Sequence, residues 1–259
     1  MLNLISSYAA GAGAAIRASF SDRANFALQV GGMIINDVFF LALWVLFFAG
    51  FRQVGGWGRQ DVLLLLGLAM VIVSVSGVFF GGFRDMAASI LKGEPDALLT
   101  QPKPVLLRLL TRDSIATAWG DLVMGLVILA FFAGLSWRDV PLVALGVVVG
   151  VTVFVSASVS FAAMAFWAKG ARSFARDLTD FMLLFSTYPG SIFSGWTKVI
   201  AYTLLPAGFV VLAPVELIRH PSWQGAGVVV AGAGAYAALA LGVFHLGLRR
   251  YRRGDTPQI

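Results

Sequence analysis

Long apolar stretches alternate along this chain with short clusters of charge, and the clusters mark where helices would enter and leave a hydrocarbon phase. A charge at mid-bilayer costs at least about 2.5 kcal/mol, so charge-free intervals are the firmest guide to membrane-crossing segments. Residues 62–83, between Asp61 and Arg84, carry no charge. As a helix they would reach roughly 33 Å, against a hydrocarbon core of ~30 Å. Residues 140–168 and 220–248 are equally free of Asp, Glu, Lys and Arg, while 24–51 and 114–137 each hold one acid, Asp37 and Asp121. The pattern predicts a crossing helix over each of these five intervals. The stretch 181–215 is interrupted by Lys198 and carries Pro206 and Pro214, which remove backbone donors and disfavour a straight helix. It predicts one further crossing over 181–197, then an external re-entrant element over 198–219 whose irregular backbone must be covered by protein rather than lipid.

Basic residues fix the expected orientation, since Lys and Arg accumulate on the cytoplasmic side. With six crossings and both termini in the cytoplasm, 14 of the 19 basic residues fall inside. Only Arg52, Arg59, Arg138, Lys198 and Arg219 fall outside. A seventh crossing would force the arginine-rich tail (Arg249, Arg250, Arg252, Arg253) outward. Tryptophans agree with six: Trp57, Trp137, Trp196 and Trp223 fall near the outer boundary, and Trp119 and Trp167 near the inner one. Residues 1–23 place Leu4, Tyr8, Ile16 and Phe20 on one face, which predicts an interfacial helix on the inner leaflet. No basic residue precedes this apolar stretch, so it does not read as the charged leader of a signal peptide.

Composition then narrows the class. Of 259 residues, 59% are hydrophobic and 12% charged, about half the charge of a soluble domain. The expected fold is an all-α integral membrane domain spanning 1–259, in a bacterial-type cytoplasmic membrane. The net charge of +6 reads as the topology signal plus attraction to anionic inner-leaflet lipid, with no basic-aromatic surface for nucleic acid. There is no Cys and only two His, which excludes thiolate chemistry and argues against a histidine-rich metal centre. No Gly-rich loop ends in Gly-Lys-Ser/Thr, so the chain has no phosphate cradle, and any nucleotide energy must come from another chain.

The longest cytoplasmic loop, 84–113, mixes apolar and charged residues with Gly93, Pro95, Pro102 and Pro104. Its pattern predicts a short amphipathic helix broken at Gly93 and Pro95, a proline-pinned turn, and a second helix leading into the next crossing. Proline stiffness suits such a loop to transmitting a push. Within it, Gly93-Glu94-Pro95-Asp96-Ala97-Leu98-Leu99-Thr100-Gln101-Pro102-Lys103-Pro104 resembles the Gly-Glu-Leu-Asp…Leu-Leu-x-x-Pro-x-Pro segment of type-2 ABC transporter permeases. The similarity is greatest to the ABC-2 family subgroup of daunorubicin-resistance-like exporters. Tyr188-Pro189-Gly190-Ser191-Ile192-Phe193, Leu205-Pro206-Ala207-Gly208-Phe209 and Ala213-Pro214 are similar to that family's proline run between its fifth and sixth helices. Pro95 departs from the family's usual Leu.

The resemblance implies a homo- or heterodimer of six-helix permeases and two copies of an ABC ATPase subunit, which holds ATP and Mg; this chain would bind no cofactor itself. It implies that 84–99 is the coupling helix seated on the ATPase. Arg84 would belong to that contact, with Glu94 and Asp96 as polar anchors and Leu98 and Leu99 as apolar knobs. The loop with Lys169, Arg172, Arg176, Asp177 and Asp180 would make a secondary contact. A transport path between subunits would be walled by aromatics of the first, second and fifth crossings, among them Phe40, Trp44, Phe79, Phe185 and Tyr188. Asp37 and Asp121 are the intramembrane acids; Asp37 is suited either to attract a cationic group or to pair with a neighbouring helix, and the expected substrate is hydrophobic or amphiphilic and drug-like, a cationic one included. Three small-residue repeats, Gly77/Gly81, Gly146/Gly150 and Gly234/Ala238/Gly242, are expected to allow close helix packing. Two other readings fit the six-crossing pattern. One is a self-sufficient proton-coupled carrier built on Asp37 and Asp121, and the other a rhomboid-like serine protease using Ser191 or Ser194 with His245.

Overall fold

The computed structural model describes residues 2–53, 55–100 and 103–253. Its elements are helices: α1 (Leu2–Ser19), α2 (Arg23–Gly50), α3 (Arg59–Phe80), α4 (Met86–Leu91), α5 (Glu94–Leu99) and α6 (Val105–Leu110) in the first half. The second half adds α7 (Thr117–Phe131), α8 (Val140–Ala163), α9 (Ala171–Ser186), α10 (Trp196–Tyr202), α11 (Ala213–Arg219) and α12 (Trp223–Arg252). Among the described residues, four helical runs are long and apolar enough to cross a membrane: Arg23–Gly50, Arg59–Leu91, Trp137–Phe166 and Trp223–Arg252.

Helix α3 is the axis of the bundle. It is apolar on every side, and Val62 through Ala69 are buried without a break. Its buried hydroxyls stay satisfied by bonding back into the helix: Ser74 donates to the Val71 carbonyl at 3.0 Å and Ser76 to Ile72 at 2.7 Å. Small residues set how closely α7 approaches. A methyl group added at Gly67 would meet Leu129 at 2.9 Å, and one at Gly125 would meet Val71 at 2.9 Å. Two of the expected small-residue repeats pack within the chain in the same way, Gly77 against Ala118 and Gly146 against Pro214. The third differs, because Gly234 and Gly242 have no neighbour within 4 Å.

Two expected crossings differ in extent from the helices found. In place of 114–137, α7 has 15 residues, or about 22 Å of helix. It stops because Gly134 adopts φ +67°, and the Phe132 and Ala133 amides both donate to the Ile128 carbonyl, at 2.9 and 3.0 Å. This is a glycine-terminated helix end. In place of 181–197, the helix is α9, which begins at Ala171 and ends at Ser186. Pro189 lies just beyond, and the Thr187 hydroxyl turns back to the Leu184 carbonyl at 2.9 Å. Helix α9 is strongly amphipathic and carries Arg172, Arg176, Asp177 and Asp180 on its first three turns.

The proline-rich segment after α9 is irregular and protein-covered. Helix α10 is followed by a wide π-type turn at Gly208–Leu212 and then α11, and Val210, Val211, Leu212 and Val215 are buried. Its fit depends on Gly150, which faces the Val210 backbone carbonyl and Ile72. Two polar contacts pin the segment. The Tyr236 hydroxyl on α12 donates toward the carbonyls of Tyr202 and Thr203, at 2.9 and 3.0 Å. Arg219, at the end of α11, donates through Nε to Asp61 at 2.9 Å and lies over the Trp57 ring at 4.9 Å. Asp61 also accepts from the Gly58 amide at 2.9 Å, capping α3. An Arg219→Ala variant is expected to lose about 1–2 kcal/mol of stability, read as a fall of a few degrees in the melting temperature of the purified protein. An unchanged melting temperature would mean that this cluster does not hold the segment.

Candidate functional site

The loop 84–113 folds into three short helices, not the expected two. Gly93 ends α4 in the left-handed region, with φ +76°, a conformation glycine adopts without steric cost. Pro95 then sits in the first turn of α5, where a missing N–H leaves no bond unmade. Pro95 therefore opens a helix, whereas the sequence pattern had it break one. Pro104 precedes α6, and Pro102 lies outside the described residues.

Burial separates the roles of these helices. In α4, Met86, Ala87, Ala88, Ser89 and Ile90 are buried in contact with α8, α9 and the turn at Met164–Phe166. Met86 to Ile90 of the expected docking stretch thus anchor it within this chain, while Arg84 and Asp85 before them are exposed. Helix α5 is the part on show: Asp96 and Ala97 are exposed, and Leu98 and Leu99 are half-buried. Val105, Leu109 and Leu110 of α6 turn inward again.

The two acids expected as partner anchors are engaged internally. Glu94 pairs with Arg112, and the same Arg112 nitrogen also donates to Ser89 Oγ, so one guanidinium joins α4, α5 and the segment after α6. Burial alone would raise the Glu94 pKa. Hydrogen bonds from Ser89 and Arg112, with the charges of Arg112 and Lys92, outweigh that and hold its carboxyl below the ordinary value of 4.5. Asp96 accepts from the hydroxyl of Tyr251, near the end of α12. Neither Arg112 nor Tyr251 was legible as a partner, because each is paired only by the tertiary fold. Helix α1 completes the floor of this region: a Cβ added at Gly11 would come within 2.6 Å of the Thr111 hydroxyl, and the Tyr8 ring lies 5.4 Å from Phe80.

Beside the loop lies a cleft between the end of α3, the start of α7, the C-terminal half of α8 and the first turns of α9. Its enclosed part holds about 80 Å³. Arg84, Asp121, Arg172, Arg176 and Asp180 supply the charged wall, and Val73, Ile115, Phe154 and Leu183 the apolar one. Arg84, expected on the docking face, lines this cleft. Arg172 and Arg176, expected in a secondary partner contact, line it too.

None of the expected path residues lines that cleft. Asp37, Phe40 and Trp44 form one stripe on α2, with the Phe40 and Trp44 rings 6.5 Å apart. Asp37 is 4% exposed and turned toward Asp121 of α7 across the α2–α7 contact. Its Oδ2 and the Trp44 indole nitrogen are buried with no hydrogen-bond partner. Phe79 is exposed at the end of α3, Phe185 stacks on Phe193 at 5.1 Å, and Tyr188 is exposed beyond α9. The structure therefore gathers three of the six on α2 and leaves the others apart. The serine–histidine pairing does not form among the described residues. The His245 ring bonds to the Leu241 carbonyl of its own helix at 2.7 Å, while Ser194 engages Thr197.

A family model described as "ABC-2 family transporter protein" matches residues 34–254. No curated protein and no solved structure matches the chain.

Proposed function

Because this multi-pass membrane chain belongs to the ABC-2 family of transporter proteins, whose permeases generally work with ABC ATPase partners, we propose that it is the permease subunit of an ATP-driven exporter. Two ATPase copies and a second permease, identical or homologous, would complete the assembly, and ATP and Mg would reside on the ATPase. The membrane would be a bacterial-type inner membrane, with both termini and the 84–113 loop in the cytoplasm. In this arrangement α2, α3, α7, α8, α9 and α12 make six crossings. Flanking turns extend α7 and α9, and the π-turn segment stays shielded between α3, α8 and α12. The cargo would be hydrophobic or amphiphilic.

The observation that carries this reading is the contrast within the loop. Helix α5 presents Asp96, Ala97 and part of Leu98 and Leu99, while α4 and α6 on either side are sunk into the bundle. A displaced α5 therefore moves α4, which touches α8 and α9. ATP can drive such a switch only if it binds the two states with different affinity.

Leu98→Asp tests the docking face. A charge placed among half-buried apolar groups at an interface centre costs several kcal/mol, so the variant is expected to release the ATPase on co-purification and to abolish ATP-dependent transport in proteoliposomes. Retention of both, in a variant that elutes as the wild type does on size exclusion, would remove α5 from the ATPase contact.

A further inference from the structure

The cleft beside the coupling loop has the opposite sign from the one that a cationic cargo requires. Three guanidiniums line it, Arg84, Arg172 and Arg176, against two carboxylates, Asp121 and Asp180. Among the described residues, none of the three arginines forms an ion pair within 4 Å; the pairs found involve Arg112, Arg219 and His220. Asp121 interacts with Arg84 only at longer range. Arg172 and Arg176 stand one helical turn apart, so they share a face of α9, and Arg84 approaches from the end of α3. Asp37, the acid suited to draw a cation or to pair with a neighbouring helix, points away into the α2–α7 contact.

The lining also changes character along its length. Following α9 from Arg172 through Arg176 and Asp180 to Leu183, the wall passes from charged to apolar. The neighbouring helices add the half-buried apolar side chains Val73 and Ile115. A small soluble anion would use the mouth and leave that inner wall unfilled. An amphiphile with an anionic head and an apolar tail would satisfy both. Arginine suits a phosphate in particular, because its planar fork meets phosphate oxygens two at a time.

We propose that this cleft binds the phosphate head of an anionic amphiphile, held by Arg84, Arg172 and Arg176, with its tail leaving past the half-buried Val73 and Leu183 toward lipid. The proposal rests on the permease reading for its orientation, which sets the arginines at the depth of the inner-leaflet headgroups. It sharpens that reading by giving the cargo class a sign.

The test is direct binding to the purified full-length chain in a neutral maltoside detergent, without nucleotide. Dioctanoyl phosphatidic acid is the probe, dioctanoyl phosphatidylcholine the zwitterionic control and inorganic phosphate the headgroup-only competitor, all followed by native mass spectrometry. Phosphatidic acid is expected to bind at least about tenfold more tightly than phosphatidylcholine. Arg172→Gln with Arg176→Gln should remove that preference, whereas Arg249→Gln with Arg253→Gln, an equal loss of charge at the tail, should keep it. Should the double α9 variant fail to elute as a folded species, Arg84→Gln reads the same site from a different element. Equal binding of the two lipids, equal effects of the two double variants, or inorganic phosphate competing as strongly as the lipid would each overturn the proposal. No ATPase enters this measurement. Failure here together with an uncoupled Leu98→Asp variant discards the site and keeps the permease reading, and the converse result keeps the site and removes α5 from the ATPase contact.

Discussion

A Gly82→Val chain is expected to be recovered mostly as aggregate, with the largest loss of stability of any single substitution considered. Gly82 sits in the short turn Gly81–Phe83 that leads out of α3. A Cβ at this position would run into the backbone carbonyl of Leu109 and the Arg112 side chain, and one at the adjacent Gly81 would lie 2.7 Å from the Asp113 carbonyl. The carbonyls are main chain, which cannot rotate away as the Arg112 side chain can. Nearby, the Ile115 amide donates to the Gly77 carbonyl at 3.0 Å, so the returning limb of the loop is tied to α3 on both sides of the turn. Overpacking a tight core costs about 1–3 kcal/mol when side chains can adjust, and a backbone clash is expected to exceed that. Fluorescence-detected size exclusion of the tagged protein, before and after a heating series, reads the loss. Gly32→Ala is the control: nothing lies within 4 Å of that glycine, and Gly→Ala within a helix is expected to gain about 0.5–1 kcal/mol. A Gly82→Val protein that melts with the wild type would mean that the two limbs of the loop do not meet as described.

The difference between Gly82 and Gly32 also shows what the sequence made legible. Both are glycines in apolar surroundings, and no local pattern distinguishes the one pressed against a carbonyl from the one facing open space. Helices α2, α3, α8 and α12 could be located because a bilayer penalises any charge, a cost visible in a linear string. Helix α9 escaped the same criterion. Its first three turns put Arg172, Arg176 and Asp180 toward a polar cleft, so its charges sit beside water and not lipid, and a count of charges assigned its beginning to a loop. Pro95 was misjudged because proline is equally at home after a helix and in the first turn of the next. Which applies depends on Gly93, whose left-handed backbone ends one helix and sets the start of another. For Asp37 the sequence left two roles open, a lure for cargo or a pairing with a neighbouring helix. Its orientation toward Asp121 depends on the register of α2 against α7, where a Cβ added at Gly120 would lie 2.8 Å from the Val30 carbonyl, so only glycine permits the approach. Positions were legible wherever a single-residue cost decided them. Partnerships were not.

Arg112 is such a partnership, and its removal separates transmission from docking. Arg112→Ala is expected to leave the ATPase bound, since Leu98 and Leu99 are untouched, and to lower transport per ATP hydrolysed by roughly tenfold, about 1.4 kcal/mol of lost coupling. The guanidinium joins Ser89 of the buried α4 to Glu94 at the start of α5. Without it the exposed helix can shift with the ATPase while the anchor stays behind. The pH dependence carries the same signature. Glu94 is held below its ordinary pKa of 4.5 in the folded protein. Its contribution to stability is therefore fully present above 4.5 and is lost as pH falls through the depressed folded value. Melting temperatures of the purified permease measured from pH 6 downward should show this acid-side loss in the wild type. In Arg112→Ala and in Glu94→Gln the curve should be flatter over the same interval. If Arg112→Ala instead releases the ATPase as Leu98→Asp does, the staple is part of the docking face itself. If it transports normally with the acid-side loss intact, α5 moves the bundle by some contact other than the Glu94–Arg112–Ser89 link.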